Sequence, residues 1–487
     1  MNTKADCHVV KYDEIQRHAK ALALELTIRI LTPVVIVWFM MLMIASSVVH
    51  AQTFTDKTEA ISSVEGFNYV ITNNDDGTFT IVTAGHVGNG ALSKSLPDLV
   101  VYKGKASYND YPEGSVYEVA FPDLRHSPLG AVLEVSVAEG TVEVVHDNTV
   151  EHDNGDMSWV GVSKYDGNNF RTILTSFDGG VMGSIKTPTN TYLIESDQGH
   201  TYLIDTNAAG LVQQEIDEGG AALPSAGATT TTSPIILPKP STRSTKVTTS
   251  SSSSYIDTFY YIGTGFGVSP SGTDQSATRL NYLVTVGNQG LKDSGLSTQI
   301  RVVGTKHWED TVVTNNNNQL VKLYSSVTER SARQQIINTY KADEIIYLRA
   351  FKYAQGSCGV HFINGANGTQ PTPSGALGIV TDGKDGIYYC QDVTLIHEHG
   401  HGLGLVHDRE YAYGSVGYKP WAYAWGIAGK YATIMSYKQP MVVKFASPSL
   451  KCTVAGDPCG YSQTDTARSS DQVSVLKLTI PMVAAFK

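Results

Sequence analysis

A segment that cannot fold divides this chain into two parts. Between Ser225 and Ser254, 17 of the 30 residues are serine or threonine, and three prolines interrupt the rest. Such a composition cannot bury enough apolar surface to offset the entropy of ordering the chain, so it predicts an exposed linker. Lys239, Arg243 and Lys246 in this segment are open to proteolysis. The rest of the chain must therefore fold on either side of it.

The composition of the whole chain is that of a globular protein. Hydrophobic residues make up 41% and charged residues 17% of the 487 residues, which is enough to build a sizeable core. The formal net charge of −10 provides no basic surface for nucleic acid. We therefore exclude nucleic acid as a partner.

The N-terminus has the pattern of an export signal. Basic residues precede an apolar run from Ile30 to Ala45, and Val49-His50-Ala51 supplies small residues three positions before and one position before a cut. The sequence therefore predicts a signal peptide over residues 1–51, cleaved before Gln52. The alternative is a retained anchor over Ile30–Val49, which is about long enough to span a bilayer. In either case the rest of the chain is exported, to the outside of the cell or to the periplasm.

Cysteine usage agrees with export. Cys7 lies ahead of the apolar run, and the four other cysteines form an even set, as expected in an oxidising compartment. Three pairings are possible. The one that needs the least rearrangement of the chain joins Cys452 to Cys459 and Cys358 to Cys390.

Residues 52–224 have the pattern of a β-rich domain. Short runs of alternating or β-branched residues occur without a helical period, separated by clusters of glycine, asparagine and aspartate. The clearest runs are Phe79–Ala84, Leu133–Val145 and Thr191–Asp205.

Residues 255–487 alternate between strand and helix patterns, which predicts an α/β (α+β) domain. We expect strands at 255–266, 297–304 and Glu344–Phe351, and helices at Ala277–Gly295, Arg330–Asp343 and Asp471–Lys487.

Four histidines crowd into the stretch LIHEHGHGLGLVHD of this second domain. His397 and His401 are four residues apart and share one face of a helix, with Glu398 beside the first. This is the H-E-x-x-H pattern, in which two imidazoles bind one zinc and the glutamate acts on a water molecule. His399 projects from another face of the helix, and we interpret it as a bystander.

The third ligand follows from a glycine. Gly404 tolerates the left-handed conformation that ends a helix, and a sharp turn there returns His407 towards the metal. Three protein ligands with one open position are typical of a catalytic zinc rather than a structural one.

The extended pattern resembles the signature of the metzincin zinc peptidases. Members of this group carry a methionine turn beneath the metal, and TIMSY here supplies Met435. Asp408, directly after the third histidine, resembles the adamalysin or reprolysin-like branch. Bacterial reprolysin-like domains are similar over much of the second half: Asn288–Gly304, Tyr340–Phe351, Gly356–Phe362, Gly375–Asp382 and Phe445–Cys452. The stretch Trp159–Ile185 resembles their propeptides more loosely.

Some features depart from the reprolysin-like pattern. Gly400 and Gly402 lie inside the expected helix, where each costs about 1 kcal/mol relative to alanine. Tyr437 resembles the astacin and serralysin branches, in which a tyrosine so placed approaches the metal; a packing role is the alternative. Glycine-rich calcium repeats are absent from the sequence, and calcium binding stays open.

The resemblance implies a secreted zinc metalloendopeptidase that is made as a proenzyme and works as a monomer on proteins or peptides. Glu398 would be the general base, and substrate would lie as an extra strand along Cys358–Asn364. Asp408 is expected to have a structural hydrogen-bonding role. The segment Gln52–Ser357 contains no cysteine, so latency would be steric or would use an oxygen or imidazole ligand. His146-Asp147 and His152-Asp153 are the candidates for such a ligand.

Two other functions fit the same sequence. A non-hydrolytic zinc-containing binding or adhesion module would keep the metal and cleave nothing. A membrane-anchored envelope protease would retain the segment Ile30–Val49. The stretch Val82–Val87 resembles the histidine segment of trypsin-like peptidases, but no nucleophile turn follows it, so we interpret His86 as a turn residue.

Overall fold

The computed structural model describes residues 98–138, 140–164, 170–214 and 255–487, together with the backbone of three short strands near the N-terminus. The predicted linker and nearly all of the predicted signal peptide, including the alternative anchor, lie outside the described residues. His86 lies outside them too. The domain boundaries at 51, 224 and 254 therefore stay predictions. Among the described residues, no helix is both long enough and apolar enough to cross a membrane.

The chain divides into two compact units, Met1–Lys94 and Ser95–Lys487. In the first unit, three strands form an antiparallel sheet in the order β1-β3-β2: β1 His50–Phe54, β2 Tyr69–Asn73 and β3 Phe79–Thr83. The run predicted at Phe79–Ala84 is one of these strands.

The second unit begins with a ten-stranded sheet in the order β4-β7-β8-β9-β10-β11-β12-β13-β6-β5. Every neighbouring pair is antiparallel except β4 and β7. Its strands are β4 Asp98–Leu99, β5 Val101–Lys105, β6 Val116–Ala120, β7 Val132–Val137, β8 Gly140–Glu151, β9 Met157–Ser163, β10 Arg171–Phe177, β11 Gly180–Lys186, β12 Thr191–Asp197 and β13 His200–Asp205.

Hairpins build this sheet, as the sequence predicts. β12 and β13 are joined by Gln198 and Gly199 alone, and both residues have positive φ, at 50° and 80°. A two-residue turn with both φ angles positive matches the right-handed twist of antiparallel strands. Alternate side chains of the strands then enter one apolar core that contains Trp159, Leu174 and Ile194.

The rest of the second unit contains a mixed five-stranded sheet in the order β16-β15-β17-β19-β18. Its strands are β15 Tyr255–Gly263, β16 Gln299–Trp308, β17 Glu344–Ala350, β18 Gly359–His361 and β19 Leu377–Asp382. Only β18, at one edge, is antiparallel to its neighbour. The short strands are β14 Val212–Gln213, β20 Lys384–Asp385, β21 Tyr388–Tyr389, β22 Gly426–Ile427 and β23 Tyr431–Ala432.

Five α-helices accompany this sheet: α1 Ser276–Asp293, α2 Asn316–Ser325, α3 Val327–Tyr340, α4 Thr394–Gly402 and α5 Gln472–Val483. The sequence predictions for α1 and α5 are confirmed. α3 begins three residues before its predicted start, because the Ser326 side chain accepts a hydrogen bond from the backbone N–H of Glu329 and caps the helix. α2 is not among the predicted helices.

Two disulfides stabilise the α/β part. Cys358 is bonded to Cys390 and Cys452 to Cys459, which is the pairing that the sequence favours. The first disulfide lies directly before β18 and fixes the edge of the five-stranded sheet to the segment that leads into α4.

Candidate metal centre

The helix α4 carries most of the polar residues of the site, yet every one of its residues is buried. His397 and His401 lie one turn apart, and both side chains are fully enclosed. Enclosed imidazoles need polar partners, because burying a polar group without a hydrogen bond or a metal costs free energy.

A glycine turn brings the third histidine back to the helix. Gly404 has φ +81°, the left-handed conformation that glycine adopts without strain. A Cβ at this position would lie 2.8 Å from Tyr418 Cβ and 3.0 Å from the carbonyl oxygen of Asn364, so close packing also favours glycine. The chain then returns, and His407 lies fully buried beside the first two histidines.

The three histidines converge on one point. Nε2 of His407 lies 3.0 Å from Nε2 of His397 and 3.0 Å from Nε2 of His401. Zinc–nitrogen distances of about 2.0–2.1 Å in a tetrahedral site place two nitrogens about 3.3 Å apart. The ring nitrogens are therefore close to the spacing that a zinc ion requires, and these three residues could hold a metal ion.

The hydrogen bonds of the three Nδ1 atoms establish that the Nε2 atoms carry the lone pairs that face the metal centre. Nδ1 of His397 lies 2.9 Å from the carbonyl oxygen of Ile434, Nδ1 of His401 lies 2.9 Å from that of Leu405, and Nδ1 of His407 faces a carbonyl oxygen at 3.4 Å. A carbonyl oxygen only accepts, so each Nδ1 carries the hydrogen, and in a neutral ring Nε2 then presents a lone pair. Three lone pairs directed at one point are the donor set of a divalent cation, and zinc fits it.

Met435 packs directly beneath α4. A Cβ on Gly400 would overlap the Met435 sulfur, so only glycine lets the sulfur reach the helix backbone between the histidines. The residue before this methionine, Ile434, provides the carbonyl that orients His397. The glycine that departs from ideal helix propensity is therefore explained by packing.

Asp408 joins the segment that follows the glycine turn to the methionine segment. Its Oδ2 accepts a hydrogen bond from the Ser436 hydroxyl at 2.6 Å. Burial raises the pKa of Asp408 above its usual range, and the Ser436 hydrogen bond opposes part of that rise. This contact fits a structural role for Asp408.

Tyr437 lies beside the third histidine. Its ring centre is 4.4 Å from that of His407 and 5.4 Å from that of Tyr411. The ring therefore packs against His407, as the packing interpretation expects, and it is also close to the metal centre.

Glu398 occupies a buried position between α4 and the edge strand. Its side chain is fully enclosed, and a Cβ on Gly359 would overlap its carboxylate. The glycine at the start of β18 thus leaves room for the carboxylate directly against the backbone of the strand.

His399, which we interpret as a bystander to the metal, is part of a buried ionic network. Its Nδ1 lies 2.5 Å from one carboxylate oxygen of Glu344, and Nε2 of His361 lies 2.9 Å from the other. The Tyr260 hydroxyl lies 3.1 Å from the remaining ring nitrogen of His399. Burial alone would raise the pKa of Glu344, but the two imidazoles lower that pKa to about 2.

This network explains the second helical glycine. A Cβ on Gly402 would overlap the Glu344 carboxylate and would approach the His361 ring. The network joins α4 to the neighbouring strands β17 and β18. The sequence analysis did not predict this network because Glu344 and His361 are far from His399 along the chain. The occurrence of all three ionisable residues within apolar runs was the one signal that could have indicated it.

The histidines proposed for latency are bonded elsewhere. His146 uses both ring nitrogens within the ten-stranded sheet, contacting the carbonyl oxygens of Pro128 and Asn148, and it stacks on Trp159. His152 lies 2.8 Å from the Ser158 hydroxyl. These contacts hold both rings within the ten-stranded sheet.

Comparison with protein-family profiles assigns a class to the α/β part of the chain. Residues 263–464 match the profile described as metallo-peptidase family M12B, reprolysin-like. The match supports a reprolysin-like metallopeptidase domain in this part of the chain, as the histidine pattern indicates. Residues 116–209 match the profile of a BamI lipocalin-like domain. This range contains the strands β6 to β13 of the ten-stranded sheet.

Solved structures provide only weak likenesses. A chain in the structure of a chaperone–substrate complex has 19% identity and a TM-score of 0.37; the match covers 48% of this chain and 35% of that one, well under two thirds of its length. Metalloproteinase-II from Bacteroides fragilis has 12% identity and a TM-score of 0.34, covering 58% of this chain and 82% of that one. At these TM-scores neither likeness bears on the fold or the function. No curated protein matches significantly.

Proposed function

We propose that the chain is a secreted zinc-dependent metalloendopeptidase that hydrolyses peptide bonds in proteins. The observation that carries the proposal is the convergence of three Nε2 lone pairs beside Glu398, the carboxylate of the H-E-x-x-H pattern. His397, His401 and His407 are the proposed zinc ligands, held by α4 as the active-site helix and by the glycine turn that follows it.

The chemistry divides between the ion and the chain. A bound zinc ion supplies Lewis-acid activation of water and of the substrate carbonyl. Glu398 accepts a proton from the attacking water and later delivers it to the departing amine nitrogen. Burial of the carboxylate against β18 excludes bulk solvent from this proton transfer.

Substrate is proposed to bind along β18. This strand is at the edge of the five-stranded sheet, within the segment Cys358–Asn364, and its first residue, Gly359, packs against the Glu398 carboxylate. A peptide added to such an edge by main-chain hydrogen bonds would pass close to both Glu398 and the histidines. The disulfide at Cys358 holds the strand in place.

The residues around the ligands are proposed to position them. Met435 acts as the methionine turn beneath α4, and Asp408 fixes its segment through Ser436. Tyr437 retains both proposed roles, packing on His407 or approaching the metal.

Export and latency are part of the same proposal. The chain is made with a signal peptide cleaved before Gln52 and with a β-rich propeptide over residues 52–224. Comparing the peptidase activity of the intact precursor with that of protein cut in the linker and freed of the β-rich fragment tests latency. Equal activities would rule it out.

The non-hydrolytic binding module and the membrane-anchored protease remain the alternatives. Loss of the catalytic base is the usual mark of the former, and Glu398 is present. N-terminal sequencing of the mature protein distinguishes the secreted protease from the membrane-anchored one. If no anchor is retained, the mature protein is expected to begin at Gln52 or at a residue near Tyr255.

The direct test of the mechanism is the variant Glu398→Gln. We expect its zinc content to stay the same while hydrolysis falls by about 100- to 10,000-fold, because the base is lost and the ligands are not. Glu309→Gln is the matched control, since this carboxylate is exposed and remote in sequence. Proteolysis by Glu398→Gln at the rate of the native protein would refute the assigned base.

A further inference from the structure

One face of α1 is bonded to the β-rich part from Asn281 to the end of the helix at Asp293. The positions Asn281, Thr285, Gln289 and Asp293 are four residues apart and therefore share a face. Each has a partner in the ten-stranded sheet or its loops: Asp156 at 3.0 Å, the Ser158 hydroxyl at 3.2 Å, Asn148 at 3.1 Å, and Arg171 at 2.5 and 2.6 Å.

The last of these contacts is a buried, two-point ion pair. The Arg171 guanidinium donates to both carboxylate oxygens of Asp293, and the two side chains are only 11% and 10% exposed. Charge-assisted pairs of this geometry are stronger than neutral hydrogen bonds. Arg171 also bonds Asp147 within its own part of the chain, which fixes the orientation of the guanidinium.

Apolar packing accompanies the polar stripe. Val160 and Ile173 are buried side chains of β9 and β10, and they belong to the same core cluster as Tyr282, Leu283 and Val286 of α1. The β-rich part thus completes the hydrophobic core of the α/β part.

A second buried ion pair reaches the segment that leads into α4. Lys186 at the end of β11 bonds the Asp392 carboxylate, and their side chains are 9% and 8% exposed. Ser184 and Tyr282 donate to the same carboxylate. Asp392 lies two residues before α4, so the β-rich part contacts the start of the histidine-bearing helix.

Further main-chain and side-chain hydrogen bonds join the β-rich part to the α/β part. β14 adds in parallel to β21, and the side chain of Gln214 donates to the carbonyl oxygen of Gly356. Asp197 accepts hydrogen bonds from Ser269 and Ser271. More than a dozen hydrogen bonds join residues 98–214 with residues 255–487, whereas a protein–protein interface of standard size carries about ten.

We propose that the β-rich part stays bound as a non-covalent partner of the α/β part when the chain is cut between residues 214 and 255, so that the processed protein is a two-fragment complex. The surface is the α1 stripe with the Arg171–Asp293 and Lys186–Asp392 pairs. The proposal concerns binding alone and does not rest on the proposed hydrolysis.

The test uses the full chain. A recognition sequence for a site-specific protease is inserted into the serine- and threonine-rich segment, the purified protein is cut, and its mass in native buffer is measured by gel filtration with light scattering. Both fragments in one peak with the mass of the uncut chain are expected, and they separate in denaturant. Two separate peaks in native buffer would overturn the proposal.

Charge variants test the assigned surface. Arg171→Asp places like charges opposite each other, and we expect the dissociation constant of the two fragments to rise at least about 30-fold. Adding Asp293→Arg restores an opposite-charge pair and should recover most of that loss. Lys103→Asp, on an exposed strand, is the matched control. An unchanged dissociation constant for Arg171→Asp, measured by dilution of the cut complex, would refute this surface.

Discussion

At the scale of single residues, glycines that allow buried side chains to approach the backbone closely determine the geometry of the metal centre. Gly400 admits the Met435 sulfur, Gly402 admits the Glu344 carboxylate, and Gly359 admits Glu398. Each glycine gives up helix or strand propensity in exchange for a contact that a methyl group would block. These three positions therefore let α4 pack closely against the methionine segment, β17 and β18.

Replacing Gly400 tests this packing. We expect Gly400→Ala to weaken zinc binding and to lower the free energy of unfolding by about 1–3 kcal/mol, because the added methyl group overlaps a buried sulfur. This loss would appear despite the gain of about 1 kcal/mol in helix propensity. Zinc titration and urea unfolding measure the two effects.

Gly287→Ala in α1 is the matched control. A Cβ there meets its nearest neighbour, Ile300, at 3.3 Å, so the alanine needs only a small adjustment. Gly400→Ala with the zinc affinity and stability of Gly287→Ala would contradict the packing argument.

At the same scale, the sequence predicts only what lies close together along the chain. The spacing of His397, His401, Gly404 and His407 is local, so periodicity and turn chemistry are enough to identify the set. The partners of His399 are Glu344 on β17 and Tyr260 on β15, and His361 on β18 contacts the same Glu344 carboxylate; their positions depend on strand register that no local pattern fixes.

Elements are stabilised by contacts at their ends as much as by their faces. The helix α3 begins where Ser326 caps it, in a Ser-x-x-Glu pattern that is readable in the sequence. The helix α2 begins within a run of four asparagines, Asn315–Asn318, a composition typical of loops, so its pattern is weak. Its side chains Leu320 and Leu323 are buried in the core, and tertiary packing therefore decides its conformation.

The cap is testable on its own. We expect Ser326→Ala to lower the free energy of unfolding by about 1 kcal/mol, because the N–H of Glu329 loses its acceptor. Ser325→Ala, one residue earlier, is the control, since the Ser325 hydroxyl donates to the Lys322 carbonyl oxygen at 3.4 Å within α2 and accepts from no N–H of α3. Equal effects of the two substitutions in chemical unfolding would argue against the cap.

The network that joins α4, β17 and β18 predicts a dependence on pH. The two imidazoles hold the pKa of Glu344 at about 2 in the folded protein, below its ordinary value of 4.5. A lowered pKa contributes stability above the ordinary value, about 3 kcal/mol here, and this is lost as the pH falls from about 4.5 towards 2.

The variant Glu344→Gln isolates this contribution. The difference in unfolding free energy between the native protein and Glu344→Gln should be largest above pH 5 and should shrink as the pH falls. Urea unfolding at a fixed zinc concentration measures it, because ligand protonation affects both proteins alike. A difference that is constant from pH 7 to pH 3 would show that the carboxylate charge is not the source.

On the scale of the whole molecule, the two parts that the sequence separates share one core. Their compositions and periodicities differ clearly, so the α/β part and the β-rich part are both predictable. The insertion of Val160 and Ile173 into the core around α1 is not, because residues more than 100 positions apart form it. The polar stripe of α1 would have been read from the sequence as a solvent-exposed face.

The β-rich part also contacts the segment that leads into the helix of the metal centre. The pair between Lys186 and Asp392 places the β-rich part at the residue that leads into α4. Burial alone would raise the pKa of Asp392, but Lys186 and its other partners hold it below the ordinary value. The carboxylate therefore stays charged, and its environment changes if the β-rich part leaves.

Zinc-dependent peptide hydrolysis is the central claim, and one measurement tests it most directly. Purified mature protein is incubated with a proteome-derived peptide library, alone, with a zinc chelator, and with the chelator followed by excess zinc. We predict cleavage that the chelator abolishes and zinc restores, and the cut sites also report the side-chain preference. Absence of cleavage by protein that contains stoichiometric zinc and lacks its propeptide would contradict the account and favour the binding module.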